Sequence, residues 1–338
     1  MIGIGIIGYG YWGPKVARNF SGLDDARLVA ISDLDPAHLS QAARNHPSAL
    51  TTTDYQELLQ HPDVDAIAIA TPVSTHFSLA MAALKAGKHL WVEKPLTDSV
   101  EQAVKLVDEA NRLGLVLMVD HTFVYTGAVR KIKEMVDSGE LGDLHFYDSA
   151  RVNLGLFQHD VDVLWDLAVH DLAIMKYLLS KEPTMVSATG MDHIPGHREN
   201  VGYLTLFFDD TMIAHIHVNW LAPVKIRRTL ISGTKKMIVY DDLEPSEKVK
   251  VYDKGVIVED DKDTLYAQVS GYRTGDMWAP HLDMTEALLD EAKHFVHCIR
   301  SGEKPITDGE AGLYVVRILE AATASMKLQG QPVKIAGG

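Results

Sequence analysis

The chain has a single cysteine, Cys298, so neither an intramolecular disulfide nor a cysteine-based zinc cluster is open to it. That suits a reducing compartment, and the expected location is cytoplasmic. No apolar run approaches the ~20 residues of a membrane helix. The apolar start, Met1 to Gly8, has no basic residue ahead of it and reads as a buried strand rather than a signal peptide. Cations are also scarce: 32 Lys and Arg stand against 46 Asp and Glu, a formal charge of −14 that argues against a nucleic-acid partner. A local site can still hold one phosphate-bearing molecule against that charge. There is no H-E-x-x-H and no G-x-S-x-G, so zinc hydrolysis and Ser-His-Asp chemistry lack their signatures. His215 and His217 share one side of an expected strand, but no acidic residue stands at a complementary spacing, and no metal is expected.

What is present fits an ordinary globular chain of two domains: 338 residues, 46% hydrophobic and 23% charged. The first third alternates short apolar runs (2–7, 28–32, 66–70, 90–92, 115–119) with helix-like segments (14–20, 36–45, 55–60, 76–86, 100–113). Unbroken apolar runs suit strands covered on both faces, and this alternation predicts an α/β, doubly wound parallel sheet. Pro14 and Pro36 suit first helical turns, and Ser99 with Gln102 resembles a capping box.

Beyond residue 120 the rhythm changes. A helix over 128–136 is followed by a long apolar helix near 161–179, then strands over 185–191, 201–208, 212–220, 228–232, 236–240 and 248–252. Asp209-Asp210 reads as a hairpin turn. Helices near 285–299 and 311–328 close the chain, and 253–280, with Tyr266, Tyr272 and Trp278, reads as a loop or ragged edge. Successive strands predict an α+β domain with an open mixed or antiparallel sheet. The expected division is a cofactor domain over 1–121 and a substrate and oligomerisation domain over 122–338.

Gly8-Tyr9-Gly10-Tyr11-Trp12-Gly13 is a G-x-G-x-x-G between a strand and a helix, and Asp33 ends the next strand twenty residues past Gly13. Its glycines permit the tight turn, the approach of a pyrophosphate and close strand–helix packing. Asp33 would accept from the adenosine ribose diol and repel a 2′-phosphate, which favours NAD over NADP; Asp35, before Pro36, reads as a helix cap. Glu93-Lys94-Pro95 follows a strand at the carboxyl end of the sheet, where such folds bind ligands. Lys94 there can orient a reacting hydroxyl, or be a surface lysine held by Glu93. Its bond to Pro95 is a candidate cis peptide. Asp162, Asp166 and His170 are spaced four and four, one stripe on a helix. A general base with an orienting carboxylate has that spacing. So does a solvated i,i+4 pair worth ~0.2–0.5 kcal/mol, and spacing leaves both open.

With these residues the chain resembles the Gfo/Idh/MocA oxidoreductases, the family of glucose–fructose oxidoreductase and inositol dehydrogenase. The resemblance runs through Gly8–Gly13, Ala70-Thr-Pro-Val-Ser-Thr-His76, Ala83-Leu-Lys-Ala-Gly-Lys-His89, Glu93-Lys-Pro-Leu96, Asp166-x-x-x-His170 and Gly233-Thr-Lys-Lys-Met-Ile-Val-Tyr-Asp241. It implies a Rossmann domain followed by a domain with an open sheet, homodimers or homotetramers, and hydride transfer between nicotinamide C4 and a sugar-type carbinol or ketone. Lys94, Asp166 and His170 match its catalytic positions, with His170 as proton carrier. Gly8, Gly10, Tyr11, Trp12, Gly13, Asp33, Thr71, Pro72, His76, Glu93 and Lys94 match positions that hold NAD. The segment 164–170 lacks the glycines many members carry there, a departure that bears on the shape of the substrate pocket more than on the chemistry.

Three further stretches, Gly10–Gly13, Met118-Val-Asp-His-Thr-Phe-Val-Tyr-Thr-Gly127 and Arg151-Val-Asn-Leu-Gly-Leu-Phe157, resemble a branch of nucleotide-sugar dehydrogenases that act at C3 of UDP-N-acetylglucosamine or its uronic acid. That implies substrate contacts by Tyr125, Arg151, Asn153 and Arg227, with Lys225 beside them; all can equally be surface or interface residues. The resemblance leaves other readings: a free-sugar or inositol dehydrogenase, a 3-keto-sugar reductase, an NAD-using glycoside hydrolase, or a non-catalytic NAD sensor.

Overall fold

Strand β1 (Ile2–Ile7) leads into helix α1 (Gly13–Ser21), and the alternation continues through β2 (Ala26–Ser32), α2 (Pro36–Asn45), β3 (Leu50–Thr52), α3 (Tyr55–Gln60), β4 (Ala66–Ile69), α4 (Val73–Lys85), β5 (His89–Glu93), α5 (Val100–Leu113) and β6 (Leu117–Asp120). The computed structural model describes residues 1–155, 160–194, 198–257 and 271–336. The six strands form one parallel sheet in the order β3-β2-β1-β4-β5-β6. Ile4, Ile6, Ile31, Ile67, Leu90 and Val92 are wholly buried, as continuous apolar strands require when both faces are covered. The short edge strand β3 was not expected; only three residues long, it carries no apolar run.

Asp35 caps α2 through Ala37 N at 2.8 Å, as expected. Ser99 does not cap α5. The N–H of Val100 donates instead to the Glu320 carboxylate at 2.9 Å, so an acid from a distant helix replaces the local capping box.

The later part begins with α6 (Gly127–Asp137) and β7 (Leu144–Leu154). Strand β7 escapes the sequence reading because its polar residues disguise it. Tyr147, Ser149 and Arg151 are buried on one face and alternate with half-buried residues on the other. A π-type turn over Leu164–Ala168 then leads into α7 (Val169–Leu178), where one uniform helix was expected. Asp162 is not part of a helical stripe. Its Oδ1 turns back to accept from Leu164 N (2.8 Å) and Trp165 N (3.2 Å), which caps the first turn.

Strands β8 (Met185–Met191), β9 (Val201–Phe207), β10 (Ile213–Asn219), β11 (Leu221–Gly233), β12 (Met237–Asp241) and β13 (Val249–Tyr252) follow. Then come β14 (Gly255–Ile257), β15 (Gly271–Arg273), β16 (Met277–Trp278), α8 (Ala287–Ser301), α9 (Gly309–Lys327) and β17 (Val333–Lys334). Nine strands form a mixed sheet, β16-β13-β12-β11-β7-β10-β9-β8-β17, in which β7 and β10 are parallel. The expected loop over 253–280 contributes short strands; Tyr266 in it, like Phe157 earlier, lies outside the described residues. The two acids 209–210 join the antiparallel strands β9 and β10. One face of the sheet is core: Ala214, Ile216 and Val218 have no exposed surface. Across the other, register lines up Met185, Phe207, Ile213, Phe146, Ser232, Met237 and Tyr252 as a partly exposed and mostly apolar row.

By packing, the chain divides into Met1–Thr126 with Leu172–Ile174 and Met284–Glu320, and Gly127–Asp171 with Met175–Asp283 and Ala321–Gly338. The units are therefore not contiguous in sequence. Among the described residues no helix is long and apolar enough to cross a membrane.

Candidate active site

In the first unit the strand-to-helix turn is built from backbone. Gly8 has φ +96°, and a Cβ there would lie 2.6 Å from the Ala70 carbonyl oxygen. A Cβ on Gly13 would lie 2.2 Å from the Gly8 carbonyl oxygen. Both glycines are required by the protein itself. Gly10 is not: the nearest atom to a Cβ there is His38 Cε1 at 3.8 Å, an ordinary contact. Its lack of a side chain leaves room above the start of α1, which has no side-chain cap and no acid in its first turn. A pyrophosphate fits that room, that bare helix end and its partial positive charge. Asp33 stands beside it at the end of β2, held by Tyr9 N (2.5 Å) and Asp35 N (2.8 Å). Tyr11 and Trp12 are exposed on the same loop, with Lys15 Nζ 3.9 Å from both ring centres.

At the carboxyl ends of the neighbouring strands, Thr71 is half-buried and Pro72 exposed ahead of α4. His76, expected to line the cofactor, is wholly buried. Its Nδ1 lies 2.9 Å from the Pro95 carbonyl and its Nε2 2.8 Å from the Thr71 carbonyl, so it ties together the two turns that carry the other residues. The Lys94–Pro95 peptide is cis. Glu93 is buried, and register places it opposite Asp120 on β6. Lys94 follows, half-buried.

Sequence reading missed the groups around Lys94. His121 is buried, and burial with the Lys94 charge pushes its pKa down to about 3, so the ring is neutral near pH 7. Glu291 of α8 is fully buried, and burial, then the negative charge of Asp120, holds its carboxyl well above the usual range. The rule that ligands bind at strand carboxyl ends points to Asp120 and His121 as well as Glu93 and Lys94. Nothing local in the sequence points to Glu291. Tyr125, expected at the substrate, is buried, with its hydroxyl 3.3 Å from Thr307 Oγ1 and its ring against His294.

In the second unit Asp166 lies within the π-type turn and His170 in the first turn of α7, both half-buried. Turns of this type recur at functional sites. Trp220 Nε1 donates to Asp166 Oδ2 at 3.0 Å and fixes that carboxylate. The residue after His170, Asp171, is gripped by three inward residues of β7. Arg151 Nε donates to its Oδ2 (2.8 Å), Ser149 Oγ to its Oδ1 (2.7 Å), and Tyr147 OH to its carbonyl (3.2 Å). Arg151, expected to meet a diphosphate, is therefore buried and committed to Asp171. Arg227 stands directly opposite Arg151 in register but is partly exposed, with Nη1 3.2 Å from Asp242 Oδ2. Asn153 is half-buried two residues beyond Arg151, on the same face of β7, and Lys225 is exposed. His215 lies 3.7 Å from Asp148, a neighbour that spacing along the chain did not reveal. No group of three or more His, Cys, Asp or Glu among the described residues is placed to hold a metal ion.

The model of the oxidoreductase family's NAD-binding Rossmann fold matches residues 2–121, and that of the GFO/IDH/MocA C-terminal domain matches residues 129–239. A myo-inositol 2-dehydrogenase of Thermotoga maritima is 26% identical over 335 residues, 96% of each chain. A scyllo-inositol 2-dehydrogenase (NAD(+)) of Bacillus subtilis is 26% identical over 349 residues, 99% of this chain and 95% of its own. The solved UDP-N-acetylglucosamine 3-dehydrogenase GnnA of Acidithiobacillus ferrooxidans shares the fold, with a TM-score of 0.81 at 23% identity over 96% of this chain and 98% of its own. The glycine-rich cradle thus opens an NAD-binding Rossmann domain, and the chain belongs to the Gfo/Idh/MocA family of NAD(P)-dependent oxidoreductases.

Proposed function

We propose that the protein is a dehydrogenase of a sugar-type secondary hydroxyl, with NAD as its preferred cofactor and C3 of a nucleotide sugar as the site of reaction. Support for the reaction class comes from the family and from the inositol dehydrogenases above. Bound NAD supplies the hydride acceptor at nicotinamide C4. Gly10, the N-terminus of α1 and Asp33 hold its pyrophosphate and ribose, with Tyr11, Trp12, Thr71, Pro72 and Glu93 around it. In oxidation His170 takes the hydroxyl proton, the Lys94 ammonium holds the reacting oxygen, and Asp166, steadied by Trp220, orients the imidazole. In reduction the same groups return the proton. The cofactor role falls to residues 1–121 and the substrate role to the chain beyond.

The observation that carries the nucleotide-sugar reading is local charge. In a chain of net charge −14, Lys225, Arg227 and Arg228 lie within four residues of β11. Arg227 shares a sheet face with Arg151, whose charge is already matched by Asp171. Arg227, which pairs with Asp242 but keeps surface exposed, and Asn153 on the same strand face as Arg151 are the residues proposed to meet a diphosphate. The inositol dehydrogenases among its relatives favour a second reading, an uncharged cyclic polyol. Reduced-nicotinamide absorbance separates the two, with NAD, a ketone trap, UDP-N-acetylglucosamine, its uronic acid, glucose and myo-inositol. Turnover confined to the UDP sugars supports the first reading. Turnover confined to free polyols overturns it and keeps the reaction class. Release of free sugar from a glycoside would instead identify a hydrolase, and NAD binding without any turnover a sensor.

The apolar row on the open sheet face supports self-association there, as a homodimer or homotetramer. Light scattering of Ile213→Lys tests it, since a monomer is the expected product. The reducing cytoplasm is the proposed location.

A further inference from the structure

The ribose end of the cradle holds a side chain that the glycine-rich motif does not call for. His38 lies in the first turn of α2, and its Cε1 is the nearest atom to where a Cβ on Gly10 would stand, 3.8 Å from that point. Its Nδ1 lies 3.1 Å from Asp33 Oδ1, and its Nε2 lies 3.9 Å from Asp35 Oδ2. These two carboxylates are the charged groups that face the ring, one from the end of β2 and one from the cap of α2. The glycine-rich loop brings the Gly10 backbone. The imidazole side chain is 39% exposed and so open to a ligand, whereas Asp33 is 13% exposed and bound on both oxygens.

Asp33 disfavours a 2′-phosphate only while its charge stands uncompensated. An imidazole is the side chain whose charge changes between about pH 5 and 8, and its protonation turns the second ring nitrogen from acceptor into donor. A ring in contact with Asp33 and beside the Gly10 cradle couples that change to the ribose pocket.

We infer that His38 decides how strictly this site prefers NAD to NADP. As a neutral imidazole it leaves Asp33 uncompensated and the 2′-phosphate excluded. As an imidazolium it offsets Asp33 through Nδ1, turns its Nε2–H to the phosphate and admits NADP. The inference rests on the cradle being the dinucleotide site, and it adds a residue outside the G-x-G-x-x-G and its distal acid.

The test is calorimetric titration of the whole protein with NAD and with NADP, at about pH 6 and about pH 8.5. No substrate is needed. His38→Gln, which removes the titration, and His38→Lys, a permanent cation, are titrated beside the wild type. The 2′-phosphate itself titrates near pH 6, so variant and wild type are compared at the same pH. For the wild type, the ratio of the NADP to the NAD dissociation constant should fall about tenfold from the higher pH to the lower. For His38→Gln only the change that comes from the phosphate's own ionisation should remain, about tenfold smaller than in the wild type, and for His38→Lys the ratio should stay low at both. Parallel pH dependence in wild type and His38→Gln, or exclusion of NADP by His38→Lys, overturns the inference and leaves the NAD site standing. Binding of neither dinucleotide by any form overturns the site itself.

Discussion

The glycine-rich end of the first unit and the α7 face of the second are built by different means. At the first, recognition is backbone geometry: a positive-φ glycine, a glycine against a carbonyl, a glycine left open and a bare helix end. At the second the charged side chains come from strands far apart in sequence, and the more conspicuous of two facing arginines is spent inside the protein. Arg151 is neutralised by Asp171, while its register partner Arg227 keeps surface exposed. A backbone site admits few alternative uses. A cation's use depends on which face of the sheet it occupies and on what lies beneath.

The contrast breaks first at the chemistry. Lys94→Ala and His170→Ala should each lower turnover by about 10²–10⁴-fold with NAD affinity nearly intact, as loss of proton handling requires. Near-normal turnover in steady-state assays would remove that residue from the mechanism. The two arginines come next. Arg151→Met leaves Asp171 buried and unpaired and should cost about 3–5 kcal/mol in a denaturant melt. Arg227→Met should leave stability within about 0.5 kcal/mol and raise KM for an anionic substrate alone.

The glycines sharpen the same distinction. Gly13→Ala forces a methyl against the Gly8 carbonyl and should destabilise by about 1–3 kcal/mol. Gly10→Ala should melt like the wild type but bind NAD at least about tenfold more weakly, because only the ligand needs that space. Unchanged NAD affinity in Gly10→Ala would show that the cradle is not used.

Asp162 gives the smallest effect. Burial raises its pKa from 3.8 to about 6, so the folded protein holds a proton that the unfolded chain releases between those values. Its contribution is therefore favourable at low pH and is lost as pH rises through that window. Asp162→Asn, which can still cap the turn, should match the wild type below the window. Above it the variant should be more stable by about 1 kcal/mol, a discounted share of the shift, read from melts across pH. A pH-independent difference would mean that the carboxylate is charged throughout.

Much of the fold was legible because it is written in short-range pattern. The bounds of α2, α3 and α5 follow from periodicity within each segment, with a local cap at α2, and the parallel sheet follows from unbroken apolar strands. Strand β7 was not legible: it sits mid-sheet yet carries Asp148, Ser149, Arg151 and Asn153, of which the buried Ser149 and Arg151 are satisfied by Asp171 of α7 and Asp148 keeps solvent exposure. The Ser99 cap failed for a related reason, since a carboxylate from α9 took the N–H that a local serine would have served. Among candidate site residues, those of the glycine-rich turn lie together between β1 and α1, as the local pattern predicts. Tyr125, His76 and Arg151 have the right chemistry for ligands but lie buried, which spacing along the chain does not encode.

Glu320 on Val100, and Phe295 packed edge-on against Phe20 at 6.0 Å, bear on how this protein can be cut. Both partners of the Rossmann half come from the far end of the chain. A fragment ending at β6 would keep every nucleotide-binding motif yet present Phe20 to water and leave α5 uncapped. Modularity here lies in space rather than along the gene. A swap of cofactor domains between relatives must carry residues 284–320 along with 1–126, and the first unit also counts Leu172–Ile174 of α7.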